Sequence, residues 1–169
     1  GKALRVARWF VRTCDVIATV LMRSESRIGW RVCQGHRVPA RRRGWEIPVN
    51  SYCKRSDMPV SRERLFDYHA RPGALGRLIP PFQPARVEKP GGIRDGERVV
   101  LRMGPGPFSI RWVAEHRDFV EGERFTDDQV SGPFSAWSHT HLFLPHGQEG
   151  DRSVLEDRIE YAPPLGALG

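Results

Sequence analysis

The sequence predicts an α+β domain, a curved antiparallel sheet with two short helices inserted between its first and second strands. Three observations carry this. Between Phe108 and Phe143 residues alternate with a period of two: Phe108, Ile110, Trp112, Ala114 and His116 fall on one side, Ser109, Arg111, Glu115 and Arg117 mostly on the other. Turn signals rich in Gly and Pro, at Lys89-Pro90-Gly91-Gly92, Gly104-Pro105-Gly106-Pro107 and Gly132-Pro133, separate successive runs, which makes a meander the economical topology. From residue 46 onward, helical spacing occurs only between the first and second of these runs.

In chain order, residues 47–57 form the first predicted strand. Ser61 is placed to cap a helix over residues 62–69, because Leu65, Phe66 and His69 share one face at spacings of three and four. Arg71-Pro72-Gly73 ends it, residues 74–79 make a second short helix, and Pro80-Pro81 ends that. Strands follow over residues 82–88 and 97–103, the latter with Val99, Leu101 and Met103 on one side. The alternating strands come next, Phe125, Asp127 and Gln129 sharing a face in one and Trp137, His139, His141 and Phe143 in another. A last strand, residues 153–161, places Leu155, Asp157, Ile159 and Tyr161 together.

The 169 residues suffice for one domain of ordinary size. Of the net charge of +7, residues 1–45 carry +9 and the remainder −2, so the basic character belongs to the front of the chain. Residues 4–22 read as an amphipathic helix, and residues 23–45 as loop or disorder. The first forty-five residues are therefore expected to be an extension outside a domain spanning residues 46–169. No RRM, zinc-finger or helix-turn-helix pattern accompanies the arginines, which argues against specific nucleic-acid binding. Three cysteines, Cys14, Cys33 and Cys53, lack paired spacing and predict neither a disulfide framework nor a zinc site. No apolar run approaches the length of a membrane-spanning helix, and the expected location is cytoplasmic.

The inward faces mix aromatic with titratable residues, which suits a ligand pocket better than a dry core. His139 and His141 are the sharpest feature: two apart in a strand, they point the same way, as a metal-binding H-x-H requires, with His116 or Asp127 as candidate third ligands. A polar network lining a cavity is the commoner arrangement of such residues, and the reading adopted is no metal and no cofactor. Asp127 and Asp157 would be inward carboxylates able to pair with a histidine or to serve acid–base chemistry. Trp112, Phe125, Trp137, Phe143 and Tyr161 are the candidate apolar lining, and Gln129 a further polar anchor.

Met58-Pro59-Val60-Ser61, Leu65-Phe66, Tyr68-His69-Ala70-Arg71-Pro72-Gly73-Ala74, Leu78-Ile79-Pro80-Pro81, Gly92-Ile93-Arg94-Asp95-Gly96, Arg111-Trp112, Gly132-Pro133-Phe134 and Trp137-Ser138-His139-Thr140-His141 resemble the START-like SRPBCC superfamily. The resemblance, over about residues 50–165, is to its bacterial ligand-binding branch, of polyketide cyclase/dehydrase-like or coenzyme Q-binding-like type. It implies a helix-grip fold, in which the sheet wraps a long carboxy-terminal helix around a hydrophobic cavity. That helix is missing from the sequence after Leu165, so the domain reads as carboxy-terminally truncated, with Trp112, Trp137 and Phe143 partly exposed. The implied function is binding or carriage of a hydrophobic small molecule, a lipid, quinone or polyketide, in the concave face. Alternatives are a cyclase or dehydratase using the same pocket, and an accessory domain of a fused or neighbouring epimerase-like oxidoreductase.

Overall fold

Alternation punctuated by tight turns yields a meander in the computed structural model, which describes residues 30–33, 38–42, 45–79, 81–147 and 150–162. Strands β4 (Ala85–Lys89), β5 (Arg98–Met103), β6 (Ile110–Val120), β7 (Arg124–Ser131), β8 (Ala136–His146) and β9 (Arg152–Ala162) pair antiparallel, each with the next. The first long strand, β3 (Trp45–Met58), then pairs with the last, β9, from Asn50↔Tyr161 to Met58↔Ser153. Register shifts between Val113 and Ala114 and between Arg117 and Val120 interrupt the β6–β7 ladder, and Asp118 sits there at φ 54°. Such bulges bend and twist a sheet, giving the curvature of this one.

Two short strands extend the other edge of β3. Strand β1 (Trp30–Cys33) pairs with residues 53–56, and β2 (Val38–Arg42) with residues 45–49. The expectation of loop is therefore corrected for residues 30–33 and 38–42. Backbone pairing at a sheet edge needs no alternation of apolar and polar side chains, so this arginine-rich stretch gave no periodic signal. The helix expected over residues 4–22 and the segment 163–169 lie outside the described residues.

Helix α1 (Arg62–Ala70) is capped by Ser61, whose hydroxyl accepts from the Arg64 N–H at 3.3 Å, and α2 (Ala74–Leu78) follows after Gly73 at φ 74°. The buried Ser153 hydroxyl donates to the Val60 carbonyl at 2.8 Å, tying the approach to α1 onto β9. Leu65 and Phe66 of α1 are buried against Phe125 and Phe143, with Phe66 edge-on to Phe143 at 5.2 Å. A second cluster forms farther along the same face, where Trp112 and Trp137 meet edge-on at 5.2 Å beside Met103, Phe134 and Ile159. Trp112, Trp137 and Phe143 are 7%, 6% and 1% exposed, against the expectation that they would be partly open. Their mutual packing and the cover of α1 supply the shielding. The opposite face carries cross-strand ion pairs such as Arg98–Glu115 and Arg117–Asp128, which stabilise little where exposed.

If α1 is held mainly by this aromatic contact, Phe66→Ala lowers the unfolding free energy by about 3–5 kcal/mol in urea titration. Replacing Phe82, 64% exposed, with Ser changes it by less than about 0.5 kcal/mol.

Candidate functional site

Strand β8 sends Trp137, His139, His141 and Phe143 to one face at alternate positions. Register places Asp127 of β7 opposite His139 and Phe125 opposite His141, while β9 sets Ile159 beside His139, Asp157 beside His141 and Tyr161 beside Trp137. Four ionisable side chains, Asp127, His139, His141 and Asp157, thus converge on two adjacent rungs. They divide the aromatic face: the tryptophan cluster lies on one side and the phenylalanine cluster under α1 on the other.

Asp157 Oδ1 lies 3.1 Å from His139 Nε2 and 2.9 Å from His141 Nδ1. An ionised carboxylate only accepts, so both ring nitrogens donate. The other nitrogens, His139 Nδ1 and His141 Nε2, stand 3.7 and 3.6 Å from Asp127 Oδ2, beyond hydrogen-bond range. Each imidazole is therefore flanked by the two carboxylates, and the rings themselves are 3.9 Å apart between centroids. Asp127, His139 and His141 offer three ligand atoms within 4.8 Å of one another, a donor set able to hold a cation. Between 12% and 18% of each of the four side chains stays accessible, so the network can be reached from outside.

Burial works against charge here, and the partners decide the outcome. For His141, burial lowers the pKa, but the hydrogen bond to Asp157 and the negative charges of Asp127 and Asp157 outweigh it and push it up to about 9. Burial raises Asp157, yet the two imidazoles hold it well below the usual carboxylate range; Asp127 is lowered in the same way by His139 and His141. Two imidazolium charges about 4 Å apart would repel by roughly 4 kcal/mol at an effective dielectric of 20.

The remaining predicted site residues divide. Phe125 stacks 4.6 Å from His141, and Tyr161 lies 6.2 Å from Trp137, both on the shared face. His116 is buried beside Phe125 at 5.7 Å with Nδ1 3.2 Å from the Glu97 carbonyl, and is not among the three clustered donors. The Gln129 amide donates to the Phe134 carbonyl at 2.7 Å and accepts from the Phe134 N–H at 3.3 Å, bracing the β7–β8 turn. The buried indole nitrogens of Trp112 and Trp137 have no hydrogen-bond partner among the described residues. His69 of α1 was not among the predicted site residues. Its Nδ1 lies 2.8 Å from the Leu65 carbonyl and therefore donates, while its ring sits 5.0 Å from Phe143 and 6.3 Å from His141. Its spacing from Leu65 and Phe66 already put it on the inner face of the helix. A depression of about 310 Å³ lies elsewhere, lined by residues such as Gln83, Arg102 and Ser109, and includes none of the predicted site residues.

No protein-family model and no curated protein matches the chain. Solved structures do. Norcoclaurine synthase from Thalictrum flavum, in complex with dopamine and hydroxybenzaldehyde, superposes with a TM-score of 0.52 at 17% identity, over 67% of this chain and 69% of that one. The Zhui aromatase/cyclase from Streptomyces sp. R1128 gives 0.54 at 12% identity, over 70% and 71%. A START superfamily protein from Mycobacterium smegmatis gives 0.51 at 13% identity, over 70% and 81%. The fold is START/SRPBCC-like, as the sequence resemblance implied. No helix among the described residues is long and apolar enough to cross a membrane.

Stability should depend on pH in a defined sense. His141 is raised from 6.5 to about 9, so its contribution is complete below pH 6.5 and is lost as pH climbs through 9. Asp127 and Asp157 are lowered from 3.8, so theirs is present above that pH and is lost as pH falls below it. Urea unfolding with a chelator present should show maximal stability between these limits and a decline of about 3 kcal/mol on passing from below pH 6.5 to above pH 9. His141→Gln should flatten that alkaline decline.

Proposed function

We propose that this domain binds a hydrophobic small molecule bearing at least one oxygen, an aromatic or polyketide-like compound in preference to a plain hydrocarbon. The observation that carries the reading is a polar quartet, with two indole N–H donors that find no partner among the described residues, set into one aromatic face. Trp112, Trp137 and Phe125 are 5–7% exposed, so an apolar ligand body has to part this packing to lie among them. A carbonyl or hydroxyl oxygen on it can accept from an indole N–H, which otherwise stays desolvated at a cost of about 1–3 kcal/mol. The norcoclaurine synthase that shares the fold is described with dopamine and hydroxybenzaldehyde, both oxygen-bearing aromatics, and a second neighbour is an aromatase/cyclase. The first of these descriptions favours an oxygen-bearing ring compound over a long-chain lipid.

A cyclase or dehydratase reading draws on the same residues, because a histidine poised between carboxylates can move a proton. Binding without turnover is the reading adopted. A product formed by the native protein and abolished in His141→Gln would favour the enzyme.

Equilibrium titration with 1-naphthol and naphthalene separates the anchor from the apolar surface. Trp137→Phe keeps an aromatic ring and removes the N–H, so it should weaken naphthol by roughly five- to tenfold, the worth of one hydrogen bond, and leave naphthalene unchanged. Absence of saturable binding by either compound would rule the proposal out.

A further inference from the structure

The quartet has the organisation of a metal centre, and we infer that Asp127, His139 and His141 form a binding site for a divalent transition ion of the zinc class. Metal-bound histidines characteristically donate their second ring N–H to a carboxylate, which fixes the tautomer and aims the other nitrogen at the ion. Asp157 does this for both rings at once, through Oδ1 at 3.1 Å from His139 Nε2 and 2.9 Å from His141 Nδ1. The ring nitrogens not bonded to Asp157, His139 Nδ1 and His141 Nε2, face Asp127 Oδ2 at 3.7 and 3.6 Å. That separation is too long for a hydrogen bond and close to the roughly 3.4 Å between ligands around a tetrahedral ion with bonds near 2.0–2.1 Å. All three ligand atoms lie within 4.8 Å of one another, so closing on an ion calls for a modest inward movement of the side chains.

Charge argues the same way. Metal binding requires both imidazoles in the neutral form, so the two carboxylates then sum to −2, and a divalent ion cancels that charge in place of protons on rings 3.9 Å apart. Two imidazoles and one carboxylate suit zinc, iron(II), cobalt or nickel; magnesium and calcium prefer all-oxygen sites. Three protein ligands leave a fourth position for water or an oxygen-bearing ligand. Asp157 acts as a positioning residue. The site thus departs from the sequence expectation of no metal.

Cobalt(II) and zinc uptake by chelator-dialysed full-length chain tests this, with fold monitored by circular dichroism. The expected result is one equivalent of Co²⁺, with visible ligand-field bands from nitrogen and oxygen donors, displaced by Zn²⁺ and not by Mg²⁺. Asp157→Asn should keep that stoichiometry and spectrum while weakening affinity by roughly 10- to 100-fold, and Asp127→Asn or His141→Gln should weaken it further. Failure of the folded native chain to take up either ion, or uptake unchanged in Asp127→Asn and His141→Gln, would overturn the assignment. Should a variant not fold, the native cobalt spectrum decides: a thiolate charge-transfer band would place the ion at a cysteine instead and refute the site.

Discussion

One carboxylate oxygen, Asp157 Oδ1, accepts from both imidazoles of the H-x-H pair, and the inner face depends on that bifurcated contact. Titratable groups set among aromatic rings are destabilising unless each is paired, and removing one partner would leave the others buried with unmatched charge. The contact exists only because β9 pairs with β8 in one register, His141↔Asp157. A slip of one residue would turn Asp157 to the opposite face and bring Glu156 or Arg158 inward. Matched apolar pairs on the neighbouring rungs, Trp137↔Tyr161 and Phe143↔Leu155, hold the register from both sides.

The polar quartet and the aromatic clusters are therefore interdependent. Phe143 is shielded by Phe66 and His69 of α1, which in turn is positioned by the Ser153–Val60 hydrogen bond on β9. Trp112 and Trp137 shield each other, with Phe134 held in place by the Gln129 amide. Gly132 lies against the same amide, and a Cβ there would overlap Gln129 Oε1. Two apolar clusters with a polar strip between them make up this face.

The strands from Arg98 onward were legible because alternation and Gly/Pro turns are local signals, and that alternation also placed His139, His141, Asp127 and Asp157 on inward faces. The convergence of Asp157 with the histidines was not legible in detail, since a cross-strand register is set by long-range packing rather than by any one segment. The pairing of β3 with β9 was hidden for the same reason, being a contact across about a hundred residues. Inward polarity at Gln129 does not reveal that a turn backbone engages its amide. The edge strands before Trp45 had no periodicity to read. His69 was placed on the correct helix face, but what α1 packs against was open.

The central claim is that Asp157 fixes the tautomers of His139 and His141, and ¹⁵N chemical shifts of the two imidazoles measure this directly. At a pH above the His141 titration, in metal-free protein, Nε2 of His139 and Nδ1 of His141 should appear protonated, with the opposite nitrogens bare. In Asp157→Asn that preference should be lost or weakened. Both imidazoles titrating independently near pH 6.5, with tautomers unaffected by Asp157→Asn, would contradict the account.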